Sequence, residues 1–132
     1  MKEQKVTGML IDVTNNSVKI VAVPDELTEY YRILNCEYID IYRRKIGDRW
    51  YSVICDDEGA LKEGAIVSAM DVQGRIAFFG NLFILSGRND DAELHSLTDS
   101  EIANLYPNVA TKVLDKAGNM TSKAMVFNVD YR

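Results

Sequence analysis

Two cysteines, two prolines and a single histidine in 132 residues remove several chemistries at once. Cys36 and Cys55 have no C-x-x-C spacing, and both are read as reduced thiols. A chain of this length buries about two-thirds of its unfolded surface, so it needs neither a disulfide nor a metal as a staple. His95 stands alone. A zinc site would draw on His, Cys or carboxylate ligands, and the two cysteines are far from it in sequence. Acid–base or Ser–His catalysis would rest on this residue without a constellation around it, so "ELHSL" reads as a surface or helix-entry position. The eight glycines form neither G-x-G-x-x-G nor G-x-x-x-x-G-K, which excludes the usual phosphate cradles. "LSGR" at 85–88 lacks the leading glycine of a nucleophile elbow. The longest apolar run, 76–85, is broken by Gly80 and Asn81 and is too short to span a bilayer. "MKEQKVTGML" has no apolar h-region of signal-peptide length. The triplets at Asn15 and Asn119 therefore read as accidental glycosylation signals. The expectation is a cytoplasmic protein without membrane, metal or cofactor, and not an enzyme.

Basic residues are the scarcer sign, 15 against 20 acids, for a formal charge of −5. Phosphate contacts dominate affinity for nucleic acid, so this balance argues against a generic polyanion binder while leaving room for a local basic patch. The clusters Asp56-Asp57-Glu58 and Asp90-Asp91-Ala92-Glu93 lack the alternating oxygen ligands of a calcium loop and read as solvated turns. Hydrophobic residues at 47 % and charged ones at 27 % are ordinary for a soluble globule. The length fits one domain over residues 1–132.

What is there is mostly strand. "VTGMLIDV" and "SVKIVAVP" flank "TNNS", a hairpin whose Asn15-Asn16 tolerates positive φ. A two-residue turn there sets Val13 opposite Val18, Ile11 opposite Ile20 and Asp12 opposite Lys19. Pro24 ends the second strand. Asp25 is the expected N-cap of a helix in which Leu27, Tyr30 or Tyr31, and Leu34 recur at helical spacing. A second hairpin, "EYIDIYRRKI" and "RWYSVIC", turns at Gly47-Asp48 and ends in "DDEG", where Gly59 is expected to take positive φ. "GAIVSAMDV" and "RIAFFGNLFIL" read as strands around Gln73-Gly74. The second is apolar on both faces like a central strand, with a bulge at Gly80, and "NDDAELHS" follows as a polar loop. "LTDSEIANLYP" carries a capping box, Thr98 with Glu101, a staple from Leu97 to Ile102, and Pro107 as the stop. "NVATKVLDKAGN" is open between helix and strand, and "KAMVFNV" reads as a strand. The fold class is α+β, mostly antiparallel hairpins packed with two short helices.

"YRRKIGDRWY" gathers the candidate contact residues, Tyr42, Arg43, Arg44, Lys45, Arg49, Trp50 and Tyr51. With the turn at Gly47-Asp48, Ile39, Ile41, Arg43 and Lys45 share a face with Trp50 and Ile54. Tyr38, Asp40, Tyr42 and Arg44 share the other with Tyr51 and Val53. Trp50 opposite Lys45 and Tyr51 opposite Arg44 would let the basic stems cover aromatic surface. Residues 37–51 carry a net charge of only +1, four basic groups against Glu37, Asp40 and Asp48. The stretch is read as a hairpin tip with a solvated rim and an apolar base. Tyr30, Tyr31, Tyr38 and Tyr42 are assigned mainly to core packing. The same register places Cys36 and Cys55 four strand positions apart, about 13 Å at about 3.3 Å per residue, beyond the roughly 7 Å that a disulfide spans.

Residues 17–106 resemble a family of small bacterial and phage proteins, domain-of-unknown-function family 3846. The likeness runs through "VAVPDEL", "CEYIDIY", "VICDDEGAL", "FGNLFILSG" and "SLTDSEI", in the family's order of strand, helix, acidic turn, glycine-bearing strand and capped helix. Where the family often has a Leu-Pro-x-Asn stretch, this chain has "LKEGAIVSA". The resemblance implies a mixed α/β fold and a mobile-element context, and no activity. The favoured function is an accessory or regulatory protein acting by protein–protein contact or self-association. A nucleic-acid-binding module using the 42–51 hairpin is the alternative.

Overall fold

The computed structural model describes residues 4–88 and 93–131. Among them run nine strands and two α-helices: β1 (Lys5–Asp12), β2 (Ser17–Pro24), α1 (Leu27–Leu34), β3 (Ile39–Ile46), β4 (Arg49–Asp56), β5 (Val67–Asp71), β6 (Ile76–Phe79), β7 (Leu82–Ser86), α2 (Asp99–Leu105), β8 (Val109–Leu114) and β9 (Met120–Asp130). The class is α+β, dominated by strand. One sheet holds all nine strands in the order β2-β1-β7-β4-β3-β9-β5-β6, with β8 attached to β9 alone. Neighbours are antiparallel except β5 and β9, which run parallel. The stretch 108–118, left open by its sequence, is mainly strand. The acidic stretch Asp90-Asp91-Ala92 lies outside the described residues.

The β3–β4 hairpin has the expected register, Lys45 opposite Trp50 and Asp40 opposite Cys55, with Gly47 at φ +61 in the turn. The β1–β2 register is two positions from the expected one: Ile11 faces Val18 and Met9 faces Ile20. The Asp12 carboxylate explains the shift. It accepts the N–H groups of Thr14 and Asn15 and the Asn15 side-chain amide, closing a four-residue loop. Val13 spends its N–H on the Asn81 side chain at 2.9 Å instead of on β2. A shift by two keeps every residue on its face, so the pattern of burial survives.

Other local expectations change for similar reasons. Glu26, not Asp25, occupies the N-cap of α1 and makes no side-chain cap bond, because Asp25 accepts the Tyr30 hydroxyl at 2.6 Å. Gly59 has no positive φ. It is glycine because a Cβ there would stand 2.9 Å from the carbonyl oxygen of Phe79. Gly80, at φ +79, divides the long apolar run into β6 and β7 rather than bulging one strand.

β7 lies between β1 and β4, and all five of its residues are buried. Phe83 and Leu85 point to one face, where Tyr30 and Leu34 of α1, Val6, Val23 and Ile54 close over them. Leu82 and Ile84 point to the other, into a second cluster with Met9, Ile11, Tyr51, Val53, Leu105 and Val126. Burial on both faces accounts for the continuous apolar run.

α2 starts at Thr98 with the capping box in place: the Glu101 N–H donates to Thr98 Oγ1 at 3.3 Å, and the Thr98 N–H to Glu101 Oε1 at 2.8 Å. Replacing Thr98 with Ala is expected to cost about 1 kcal/mol in urea unfolding, and Thr98→Ser to recover most of it. A run of asparagines fastens this helix to the sheet. Asn104 Nδ2 donates to the Ile46 carbonyl and to the Tyr51 hydroxyl, both at 2.8 Å. Asn108 Nδ2 reaches the Asn104 carbonyl, and Asn128 Nδ2 reaches Asn108 Oδ1.

Candidate interaction surfaces

Three parts of the surface have the shape or chemistry of a contact site. The first is the basic hairpin. Its tip is docked rather than free. Ile46 is buried, the Asp48 N–H lies 3.4 Å from Asn104 Oδ1, and a Cβ on Gly47 would meet the Asn104 and Asn108 side chains at under 3 Å. Tyr51 is fully buried and donates its hydroxyl to the Glu101 carbonyl at 2.8 Å. Burial pushes its phenol above the ordinary range, and it has no surface to offer a partner.

The cation–aromatic pairs also differ from the directly opposed ones. Arg43 lies over Trp50 at 4.7 Å, reached diagonally because long side chains span to the next position across a twisted strand pair. It also donates to the Gly87 carbonyl at 3.2 Å. Arg44 lies over Tyr42 and Tyr131, at 4.9 and 4.5 Å, and not over Tyr51. Lys45 sits opposite Asp130 of β9, and Arg49 stays exposed beside the turn. The positive charge is thus split between two faces, with Arg43 resting on one aromatic ring and Arg44 against two.

The second part surrounds the acidic turn at 56–58 and the short 3-10 turn Gly59–Leu61. Three openings of about 200, 490 and 280 Å³ share Asp56 in their walls. Asp56 itself is spoken for: its carboxylate pairs with the Lys62 ammonium and accepts the Glu58 N–H at 2.9 Å. Tyr38, assigned to the core by its pattern, is 58 % exposed beside this region, and Leu61 is 83 % exposed. The core tyrosine of the four is Tyr30.

Both thiols are free and chemically quiet. Burial, then the nearby Asp56 charge, raises the Cys36 thiol above its usual value. Burial and the carboxylates of Asp40, Asp57 and Asp56 push Cys55 up to about 12. A folded sample at pH 8 without reductant should therefore show Cys55 resisting iodoacetamide and Cys36 reacting slowly, with two labels added after denaturation. An intact mass showing no label after denaturation would demonstrate a bridge instead. His95 bridges Ser86 through the backbone, and no group of three or more His, Cys, Asp or Glu among the described residues is placed to hold a metal ion. No helix among them is long and apolar enough to cross a membrane.

The third part is the β8–β9 hairpin. β8 bonds only β9, and no residue of 111–122 is buried. Leu114 and Met120 face each other near its end, 67 % and 63 % exposed. The turn is firmly built: the Asp115 carboxylate accepts the N–H groups of Ala117 and Asn119 at 2.9 Å each and the Thr121 hydroxyl at 3.3 Å, with Gly118 at φ +84. The sequence hid this arm because only Leu114 and Met120 betray it, and neither is unusual in a strand.

Fold and surfaces together define a small, strand-dominated α+β protein whose openings and edges face outward. Residues 6–110 match the family model described as a domain of unknown function, DUF3846, and the chain belongs to that family. No curated protein and no solved structure matches it. The matched region ends at the start of β8, so the arm and β9 lie beyond it.

Proposed function

We propose that this protein is a small accessory or regulatory component that acts by protein–protein contact, and that the β8–β9 arm joins it to a second copy of the same chain. The observation that carries this reading is the exposed arm with its open edge. A two-stranded hairpin by itself is marginal in water and gains stability from a further strand. The Asp115 N–H bonds to the Asn119 carbonyl at 2.9 Å. Antiparallel alternation then has Val113 bonding to Thr121 and leaves the backbone groups of Lys112 and Leu114 pointing away from β9.

Two such edges are complementary about a two-fold axis through Val113. Lys112 of each chain then lies beside Leu114 of the other, so like charges are not opposed, and the two exposed Leu114–Met120 pairs come to lie diagonally on one face. A mobile-element context is what the family resemblance implies, and two free cysteines suit a reducing cytoplasm. The divided, ring-clasped cations of β3 favour a nucleic-acid partner less, because tight binding to phosphate uses many contacts on one surface.

Sedimentation velocity across roughly a hundredfold range of micromolar concentration tests the assignment. The expected result is a monomer–dimer equilibrium that Leu114→Glu with Met120→Glu shifts to monomer while circular dichroism is unchanged. A monomer at every concentration, or a dimer indifferent to these substitutions, overturns it.

A further inference from the structure

Arg44 is a cation that the fold positions and leaves incomplete. Its guanidinium is held between the Tyr42 and Tyr131 rings. Nη1 donates to the Arg43 carbonyl at 2.9 Å. Nε is shielded from solvent and has no hydrogen-bond partner. The ion pairs among the described residues do not include it. A shielded donor on a charged group without an acceptor is costly to a fold, and such a group in a native fold calls for an explanation, an absent ion among them.

The surroundings supply one. Arg44 lines the opening of about 280 Å³ between the β3–β4 pair and β6, together with Tyr42, Cys55, Phe78 and Phe79. The Tyr42 and Phe78 rings are 5.9 Å apart, so the cleft has aromatic walls and one cation. Asp56, also in the wall, is neutralised by Lys62. Asp57 is exposed at the rim, where water screens it.

We propose that this cleft binds an oxyanion carried on a flat apolar body, a carboxylate or a phosphate monoester, with Arg44 as its anchor. The Nε–H and Nη2–H edge of a guanidinium matches two oxygens of either group, and the rings receive the body as in other small-ligand sites. Tyr131, 47 % exposed, lies outside the cleft lining but against the guanidinium, and its ring moves aside to free that edge. The Cys55 thiol, protonated at neutral pH, adds no opposing charge. The site is independent of the arm.

Titration with benzoate, phenyl phosphate and inorganic phosphate, followed by NMR of the arginine side-chain N–H groups and by calorimetry, tests it and separates the two sources of the oxyanion. The expected result is saturable binding of benzoate or phenyl phosphate that moves the Arg44 Nε–H resonance, with inorganic phosphate weaker. Arg44→Lys keeps the charge and stem but loses the fork, and should weaken binding about tenfold or more. Asp57→Asn removes a like charge and should tighten it. No saturable binding of any probe overturns the proposal. So does unchanged affinity in folded Arg44→Lys, or inorganic phosphate binding as tightly as phenyl phosphate.

Discussion

Replacing Phe83 with alanine is expected to lower stability by about 3–5 kcal/mol, the largest single loss foreseen for this protein. Phe83 is fully buried in the middle of β7. It pairs with Leu10 of β1 on one side and Ile54 of β4 on the other. Its ring lies 6.1 Å from that of Tyr30, so it is also a main seat of α1 on the sheet. Truncation opens a cavity on a face that strand pairing holds rigid, so the gap cannot collapse cheaply. Gly8 does not offer a repair. A Cβ there would approach the Phe83 ring but also the Ile84 carbonyl oxygen at 2.7 Å, and the backbone contact remains when the ring is gone. Against a typical total of about 5–15 kcal/mol, the variant should unfold at much lower urea or not fold at all. A Phe83→Leu variant, which refills most of the volume, should retain the fold and lose less. A loss below about 1 kcal/mol for the alanine variant would mean that α1 does not rest on β7.

The features legible in the sequence were those that neighbouring residues decide among themselves. Gly47-Asp48 admits one short turn, so the β3–β4 register followed from it; both cysteines are free as expected, although β3 starts only at Ile39 and its register does not reach Cys36. Thr98 and Glu101 satisfy each other's backbone within one helical turn, and the uninterrupted apolar run of β7 could only be a strand covered on both faces. The β1–β2 register was not legible, because it depends on Asp12 turning back onto Thr14 and Asn15 and on Asn81, far along the chain, taking the Val13 N–H. Nor was the place of β9 between β3 and β5, which joins the two halves of the sheet and includes its one parallel pairing. The candidate site suffered for the same reason. Alternation correctly put Arg44 and Tyr51 on one face, but only the arrival of α2 buries Tyr51, and only β9 brings Tyr131 to Arg44.

Glu101→Ala is the second variant expected to cost heavily, about 3 kcal/mol. The carboxylate is buried. One oxygen accepts the Thr98 N–H at 2.8 Å and the other the Ser86 hydroxyl at 2.7 Å, with an Arg88 nitrogen 3.7 Å away. Alanine removes half of the capping box, about 1 kcal/mol by itself. It also leaves the Ser86 hydroxyl, which is sealed between α2 and β7, without an acceptor, and an orphaned buried donor costs about 1–3 kcal/mol. The Arg88 contribution is small, because that side chain is 40 % exposed and surface pairs are worth little. Glu101→Gln keeps the shape and one carbonyl oxygen. Its amide donors, however, face the Ser86 hydroxyl, which already receives the Arg88 N–H at 3.2 Å, so an intermediate loss is expected. A double-mutant cycle isolates the buried contact. Ser86→Ala should be costly alone and nearly neutral in the Glu101→Ala background, because the group that would be orphaned has already lost its partner. Urea melts of the four proteins should give a coupling of about 1 kcal/mol or more. Additive losses would show that the carboxylate and hydroxyl do not share a hydrogen bond, and that α2 is held to β7 by packing alone.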